Sequence, residues 1–220
     1  MNYLAHGFRF VDDPYFLAGT AAPDWLNVID RKMRLRSKTA ALWQEHTDPR
    51  YVAFAKGVMQ HHHDDDWFHS TTVFTELSLQ FTLAIRDLLG KDDGFRPSFL
   101  GHILVELLLD NTLAEENHPG RLSSYYAAMR ELDPYLLQTI ISSMATKPSD
   151  KISQLIPRFI DERFLYDYAD DQRLLIRLGH VMRRVGLPPL PAELASLFPA
   201  MRKQVTAARK ELTVGMESST

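Results

Sequence analysis

The chain has no cysteine among its 220 residues. That absence excludes disulfide scaffolds, Cys-rich zinc sites, iron–sulfur clusters and thiol catalysis. Long apolar runs are missing too. The best candidate, around residues 99–113, is broken by His102, Glu106 and Asp110 and falls short of the roughly 18 residues a bilayer span requires. Neither sign of charge dominates: 25 basic residues against 28 acidic ones leave −3, so no strong nucleic-acid footprint appears at the level of the whole chain. The opening from Met1 to Phe10 has neither the basic start nor the unbroken apolar stretch of a signal peptide. A cytoplasmic protein with no membrane span is the expectation. With 45% hydrophobic and 24% charged residues, the composition belongs to a globular chain rather than a fibrous or disordered one.

Histidine is what the chain has in excess. There are nine, and four lie between His61 and His69.

Strand signals are scarce and helical periodicity is common. Prolines at 14, 23, 49, 97, 119, 134, 148 and 188–191 punctuate the chain into helix-length pieces. Helices are expected over 14–21, 24–29, 36–46, 49–68, 70–90, 97–116, 121–130, 133–146, 149–168, 170–186 and 191–211, with Gly90 as a C-cap. Leu194 to Leu212 reads as one terminal amphipathic helix, and 214–220 as a fraying end. The expected fold is therefore all-α, a single-domain bundle of about ten helices. Residues 1–187 form the helical domain, and 188–220 form a connector and a C-terminal helix packed on it.

Two of these helices carry ionisable residues on apolar faces. At about 100° per residue, Phe54, Val58, Asp65 and His69 share a narrow arc, with His61 at its edge and Phe68 beside it. His61, Asp65 and His69 thus stand at i, i+4 and i+8 on the core-facing side. His63 and Asp64 point away, while His62 and Asp66 form an alternative i, i+4 pair on the margin. Side chains at i and i+4 lie about one turn apart and can reach a single metal ion. In the second helix, His102, Glu106 and Asp110 stand at i, i+4 and i+8 in a segment that is apolar on nearly every side. Burying unpaired charge is expensive, so such stripes require a metal or a closed hydrogen-bond network. If the two helices face each other, three histidines and three carboxylates enter one pocket. Two further candidates lie upstream: His6, and Asp24 in the first turn of a helix that Pro23 would start. His46, His118 and His180 read as surface or packing residues.

Asn2-Tyr3-Leu4-Ala5-His6, the small-residue stretch Leu17 to Asp24, the run Gly57-Val58 through His61 and Asp65 to Val73-Phe74, and Asp110 to Ala114 follow one another in this order. Together they resemble the acyl carrier protein phosphodiesterase family, whose fold is an HD-domain-like helical bundle. The resemblance covers about residues 1–117 and includes nothing beyond. It has departures: His69 stands where that family has aspartate, Asn111 where it has histidine, and Thr71 where it tends to have histidine. Pro23-Asp24, His61-x-x-x-Asp65 and His102-x-x-x-Glu106 are also similar to the zinc-dependent phospholipases C and their nuclease relatives.

Both resemblances imply a metal-dependent phosphoesterase acting on a phosphodiester or phosphomonoester, whether carried by acyl carrier protein, a lipid or a nucleotide. A site of imidazoles and carboxylates suits Zn, Mn or Fe better than Mg, with room for two ions about 3.5–4 Å apart. The implied ligands are His61, Asp65, His69, His102, Glu106 and Asp24, joined by His6 as ligand or outer partner. Asp110 is either a ligand or the base that orients the water, and Asp65 is also placed at the chemistry. Two basic sets, Arg31 to Lys38 and Arg173, Arg177, His180 and Arg184, read as solvated faces and stay outside the site. The competing function is a non-catalytic helical protein whose polar residues form a structural network or a pocket for a metal or partner.

Overall fold

Proline at a first helical turn and a side-chain cap before it start several of the elements. Asp13 precedes Pro14 and its Oδ1 accepts from the amide of Phe16 at 3.1 Å. Asp133 precedes Pro134 and accepts from the amides of Tyr135 and Leu136 at 2.9 and 3.2 Å. Such caps satisfy donors that the helix itself leaves unbonded. In the computed structural model, which describes residues 1–90, 93–115 and 120–217, the helices are α1 (Tyr3–Gly7), α2 (Pro14–Ile29), α3 (Ser37–Ala40), α4 (Pro49–Ser70), α5 (Thr72–Leu89), α6 (Pro97–Glu115), α7 (Arg121–Arg130), α8 (Pro134–Met144), α9 (Ile152–Glu162), α10 (Asp171–Arg184), α11 (Phe198–Ala207) and α12 (Arg209–Glu217). Short 3-10 turns lie between some of them, and the described residues contain no strand. The fold is all-α, as expected. No helix among the described residues is long and apolar enough to cross a membrane.

Several boundaries differ from the sequence expectation. The short α1 was not anticipated; all five of its residues are buried. Pro23 does not start a helix. It lies inside α2, where Leu17, Ala21, Ala22, Trp25 and Leu26 are buried on both sides of it, and their packing outweighs the lost backbone bond. The helix expected to reach 168 ends at Glu162, where Arg163 takes a left-handed φ of 44° and a 3-10 turn follows. The single terminal helix is three elements. A 3-10 turn over Ala192–Leu197 precedes α11, which Pro199 starts, and α12 follows. The segment expected to fray from 214 is helical to 217, with Met216 fully buried. Gly90 does end α5, at φ 75°.

The chain groups into two units, neither with a boundary at 187. The first comprises Tyr3–Asp65 and Pro119–Arg163. Its core gathers around Phe159, whose ring meets Tyr3 at 5.0 Å, Trp25 at 5.4 Å and Tyr126 at 6.0 Å. Gly19 of α2 and Gly57 of α4 let these helices approach backbone to backbone. A Cβ on Gly57 would fall 2.1 Å from the carbonyl oxygen of Phe16, and one on Gly19 would fall 2.2 Å from that of Phe54.

The second unit comprises Met1–Asn2, Asp66–His118 and Phe164–Thr220. Its centre is α6, buried on most of its sides as the sequence suggested. Gly101 brings α6 against α5, because a Cβ there would lie 2.7 Å from the carbonyl of Ser78. Both α11 and α12 pack within this unit, α11 on α6 and α12 on α5. Arg202 ties α11 down, donating to Asn111 Oδ1, to the carbonyl of Tyr168 at 2.8 Å and to Asp171 at 2.6 Å.

Candidate metal centre

The expected ligands separate into two groups of three, each inside one unit: His6, His61 and Asp65 in the first, and His69, His102 and Glu106 in the second. Within each group, one donor atom per residue lies within 4.8 Å of the other two.

In the first group, the close approach at Gly19 and Gly57 does the positioning. His61 stands one turn after Gly57 on α4, and Thr20 follows Gly19 on α2. His61 Nδ1 lies 2.8 Å from the carbonyl oxygen of Thr20. A carbonyl only accepts, so Nδ1 carries the proton and Nε2 presents a bare lone pair. That lone pair faces Asp65 Oδ2 at 3.4 Å. Burial, and then the charge of His6, hold the His61 imidazole well below its usual value, which keeps it neutral. Two acceptors therefore confront each other with no proton between them.

His6 completes this group from α1. Its ring stacks on that of His61, with centroids 4.1 Å apart and planes at 27°. The residue is fully buried, and neither ring nitrogen makes a hydrogen bond of good geometry. Yet Nε2 is 3.2 Å from Asp65 Oδ1 and Nδ1 is 3.8 Å from Asp64 Oδ2. Burial lowers the His6 pKa, but the carboxylates of Asp64 and Asp65 outweigh it and hold the ring above its usual 6.5. The same His6 holds Asp65 well below the carboxylate range against the opposing effect of burial. In the metal-free protein the two carboxylates thus favour the charged form of His6.

The second group surrounds Glu106 of α6. Its Oε1 lies 3.0 Å from His69 Nε2 of α4 and 3.0 Å from His102 Nε2 one turn earlier on α6. The two imidazoles stack at 4.8 Å. Their side chains are 33% and 40% exposed, so this group opens to solvent on the imidazole side. The α-amino group of Met1 lies 3.5 Å from Glu106 Oε1. Burial would raise the Glu106 pKa; the Met1 ammonium, His102 and His69 instead hold it well below the usual glutamate range.

A consequence for acid stability follows. Unfolded, this carboxyl titrates near its ordinary 4.5. In the metal-free protein its ionised form therefore contributes stability in full above about pH 4.5, and that contribution drains away as pH falls from there toward the depressed folded value. Urea titrations of metal-free protein between pH 6 and 3 are expected to show a steeper acid loss in the wild type than in Glu106→Gln. Parallel pH profiles would contradict this placement of the charge.

Not every expected residue joins a group. Asp24 is half-buried on α2 and belongs to neither set of three, because Pro23 continues the helix rather than opening one beside it. Asp110 is buried, and Asn2 Nδ2 donates to its Oδ2 at 2.9 Å and to the hydroxyl oxygen of Tyr168 at 3.2 Å. Asn111 is fixed by Arg202 and donates to Glu115. The alternative pair does not form: Asp66 is exposed, and the His62 Nε2–H donates to the carbonyl of Leu35 at 2.7 Å. His63 points outward as expected, His180 is exposed, and His46 stacks on Tyr51. His118 lies outside the described residues.

Asp64 is the correction. Expected to face solvent, it is 1% exposed; its Oδ2 accepts from Arg9 Nη2 at 2.7 Å and its Oδ1 from Gln60 Nε2 at 2.7 Å. A signal for this was present, since Asp64 stands at i, i+4 with the fully buried Phe68 and so shares its side of α4.

No family model, curated protein or solved structure matches the chain.

Proposed function

We propose that the chain is a metal-dependent phosphoesterase, hydrolysing a phosphodiester or phosphomonoester with an activated water. One observation carries this reading: the bare Nε2 lone pair of His61 set 3.4 Å from a carboxylate oxygen of Asp65, with the tautomer locked by Thr20. That arrangement is costly in a buried site unless a cation lies between the two acceptors. The fully buried His6, with neither nitrogen in a good hydrogen bond, supplies a third donor beside them.

His6, His61 and Asp65 would hold one ion, and His69, His102 and Glu106 a second. Two imidazoles and one carboxylate make a donor set suited to Zn, Mn or Fe, with coordination positions left for water and substrate. Such an ion supplies a Lewis acid and makes water a nucleophile near neutral pH. The chain's own residues do the rest. Thr20 fixes the orientation of His61, Asp65 brings negative charge to the first group, and in the second group the half-exposed His69 and His102 border that group's own solvent side. Hydrolysis adds the water oxygen to phosphorus, breaks the ester P–O bond, and passes a proton to the departing alkoxide. Asp110 is engaged by Asn2 and buried, so the reading assigns it to holding the first residues of the chain rather than to the water. The resemblance to acyl carrier protein phosphodiesterases suggests a carrier-protein substrate in the cytoplasm; that to zinc phospholipases C suggests a lipid or nucleotide phosphoester.

The second group favours a different reading. Glu106 takes up both imidazoles and the Met1 ammonium without any ion. A non-catalytic helical protein with a closed polar network would look the same there. Elemental analysis of the purified protein, followed by assay on p-nitrophenyl phosphate and its bis-ester, separates the two. The phosphoesterase reading expects one to two transition-metal ions per chain and hydrolysis that a chelator removes and added metal restores. Protein that holds no metal and takes up none on titration would leave the network reading standing.

A further inference from the structure

Asp64 is a buried carboxylate that the hydrolytic reading does not use, and its surroundings are specific. Its two oxygens are held from separate directions, Oδ2 by Arg9 and Oδ1 by Gln60, each at 2.7 Å. His63 approaches Oδ1 at 3.6 Å from the solvent side. Each carboxylate oxygen accepts two hydrogen bonds, so Oδ2 keeps a lone pair beyond the one Arg9 occupies. An unbonded ring nitrogen, His6 Nδ1, lies 3.8 Å from it. On its other edge, His6 turns Nε2 toward Asp65 and the first group of ligands.

We propose that Asp64 is a positioning residue for His6: it receives the Nδ1–H and so presents Nε2 to a divalent cation held with His61 and Asp65. The inference rests on the metal reading above and deepens it by naming what orients the third ligand. An imidazole that binds a metal through one nitrogen donates from the other to a carboxylate or carbonyl, which fixes its tautomer and raises its basicity. Thr20 does this for His61, and Asp64 does it for His6. The gap of 3.8 Å exceeds an N–H···O hydrogen bond by about 1 Å. Since Arg9 and Gln60 fix the carboxylate, closing that gap falls to the imidazole. Arg9 also gives this buried carboxylate a counter-ion, with its Nη2 2.7 Å from Oδ2.

The test uses the full chain carrying Glu106→Gln, which removes a ligand of the second group and leaves the first to be measured alone. Zinc is titrated calorimetrically into this metal-free parent and into the same chain with Asp64→Asn. Asp64→Asn is expected to weaken zinc binding about 10–100-fold, and Asp64→Glu to recover part of the loss. In the zinc-loaded parent, the His6 Nδ1–H should give a downfield proton resonance in ¹⁵N-edited spectra, absent or shifted upfield in Asp64→Asn. Equal zinc affinity with an unchanged resonance, alongside a lowered melting temperature, would make Asp64 only the counter-ion of Arg9 and overturn the proposal while the metal reading stands. A parent and a wild type that both bind no zinc overturn the metal reading itself. Should Asp64→Asn not fold, Gln60→Leu loosens the carboxylate without removing it. A smaller loss of affinity then supports the proposal, and no loss overturns it.

Discussion

Replacing Glu106 by glutamine is expected to lower phosphoester hydrolysis at least about a hundred-fold, with removal of His61 as alanine doing the same from the other group. The expectation follows from where these side chains stand. Glu106 Oε1 is the atom on which His69 and His102 converge, each at 3.0 Å. Glutamine keeps the volume and an acceptor but loses the charge, so the two imidazoles lose the anion around which they are arranged. Under the phosphoesterase reading both variants should fold, bind fewer ions than the wild type and lose turnover with little change in KM. If hydrolysis persists in Glu106→Gln at near wild-type rate, the second group is a structural network and only the first can be catalytic. If it persists in His61→Ala as well, neither group carries the reaction.

Gly57→Ala is expected to be among the most destabilising single changes in the chain. In an ordinary helix, alanine would gain about 1 kcal/mol over glycine. Here the added Cβ would meet the carbonyl oxygen of Phe16 at 2.1 Å and Gly19 Cα at 3.0 Å, and backbone has no rotamer into which to retreat. Forcing α2 and α4 apart costs more than the propensity returns, for a net loss of roughly 2–4 kcal/mol. In a chain of this length, that corresponds to a fall of roughly 5–15 °C in melting temperature. The same separation lengthens the bond from His61 to the Thr20 carbonyl, so zinc affinity at the first group should drop with stability. Gly179 of α10 supplies the opposite case. A Cβ there meets nothing within 4 Å, and Gly179→Ala should raise stability by about 0.5–1 kcal/mol. Thermal melts of the two variants beside the wild type check both signs; a neutral Gly57→Ala would mean that the helices slide past the clash.

The stripes at i and i+4 were legible in the chain itself. His61 with Asp65 and His102 with Glu106 are neighbours because a helix repeats every 3.6 residues, whatever surrounds it. The helical class, the burial of α6 and the absence of any bilayer-length segment were legible for the same reason: periodicity and composition are local properties. Where the pattern misled, packing had the final word. Pro23 looks like a helix start, and only the burial of Trp25, Leu26, Ala21 and Ala22 around it carries α2 through to Ile29. Asp64 looks solvated when read in a run of three aspartates, and its bonds to Arg9 and Gln60 help make its burial tolerable. The terminal helix expected over 191–211 breaks where Phe198-Pro199 starts a new one and Met216 finds a buried position.

The sorting of ligands into two groups lay furthest from view. Spacing along α4 puts His61, Asp65 and His69 in register but does not say which partner each meets. His6 reaches His61 and Asp65 because α1 packs with α2 in the first unit, and because two glycines let α2 and α4 touch closely enough for the Thr20 carbonyl to hold the imidazole. His69 meets His102 and Glu106 in the second unit. Contacts within one helix are set by its pitch and can be counted from the residues; contacts between segments are set by which surfaces fit without overlap, and that depends on every side chain between them.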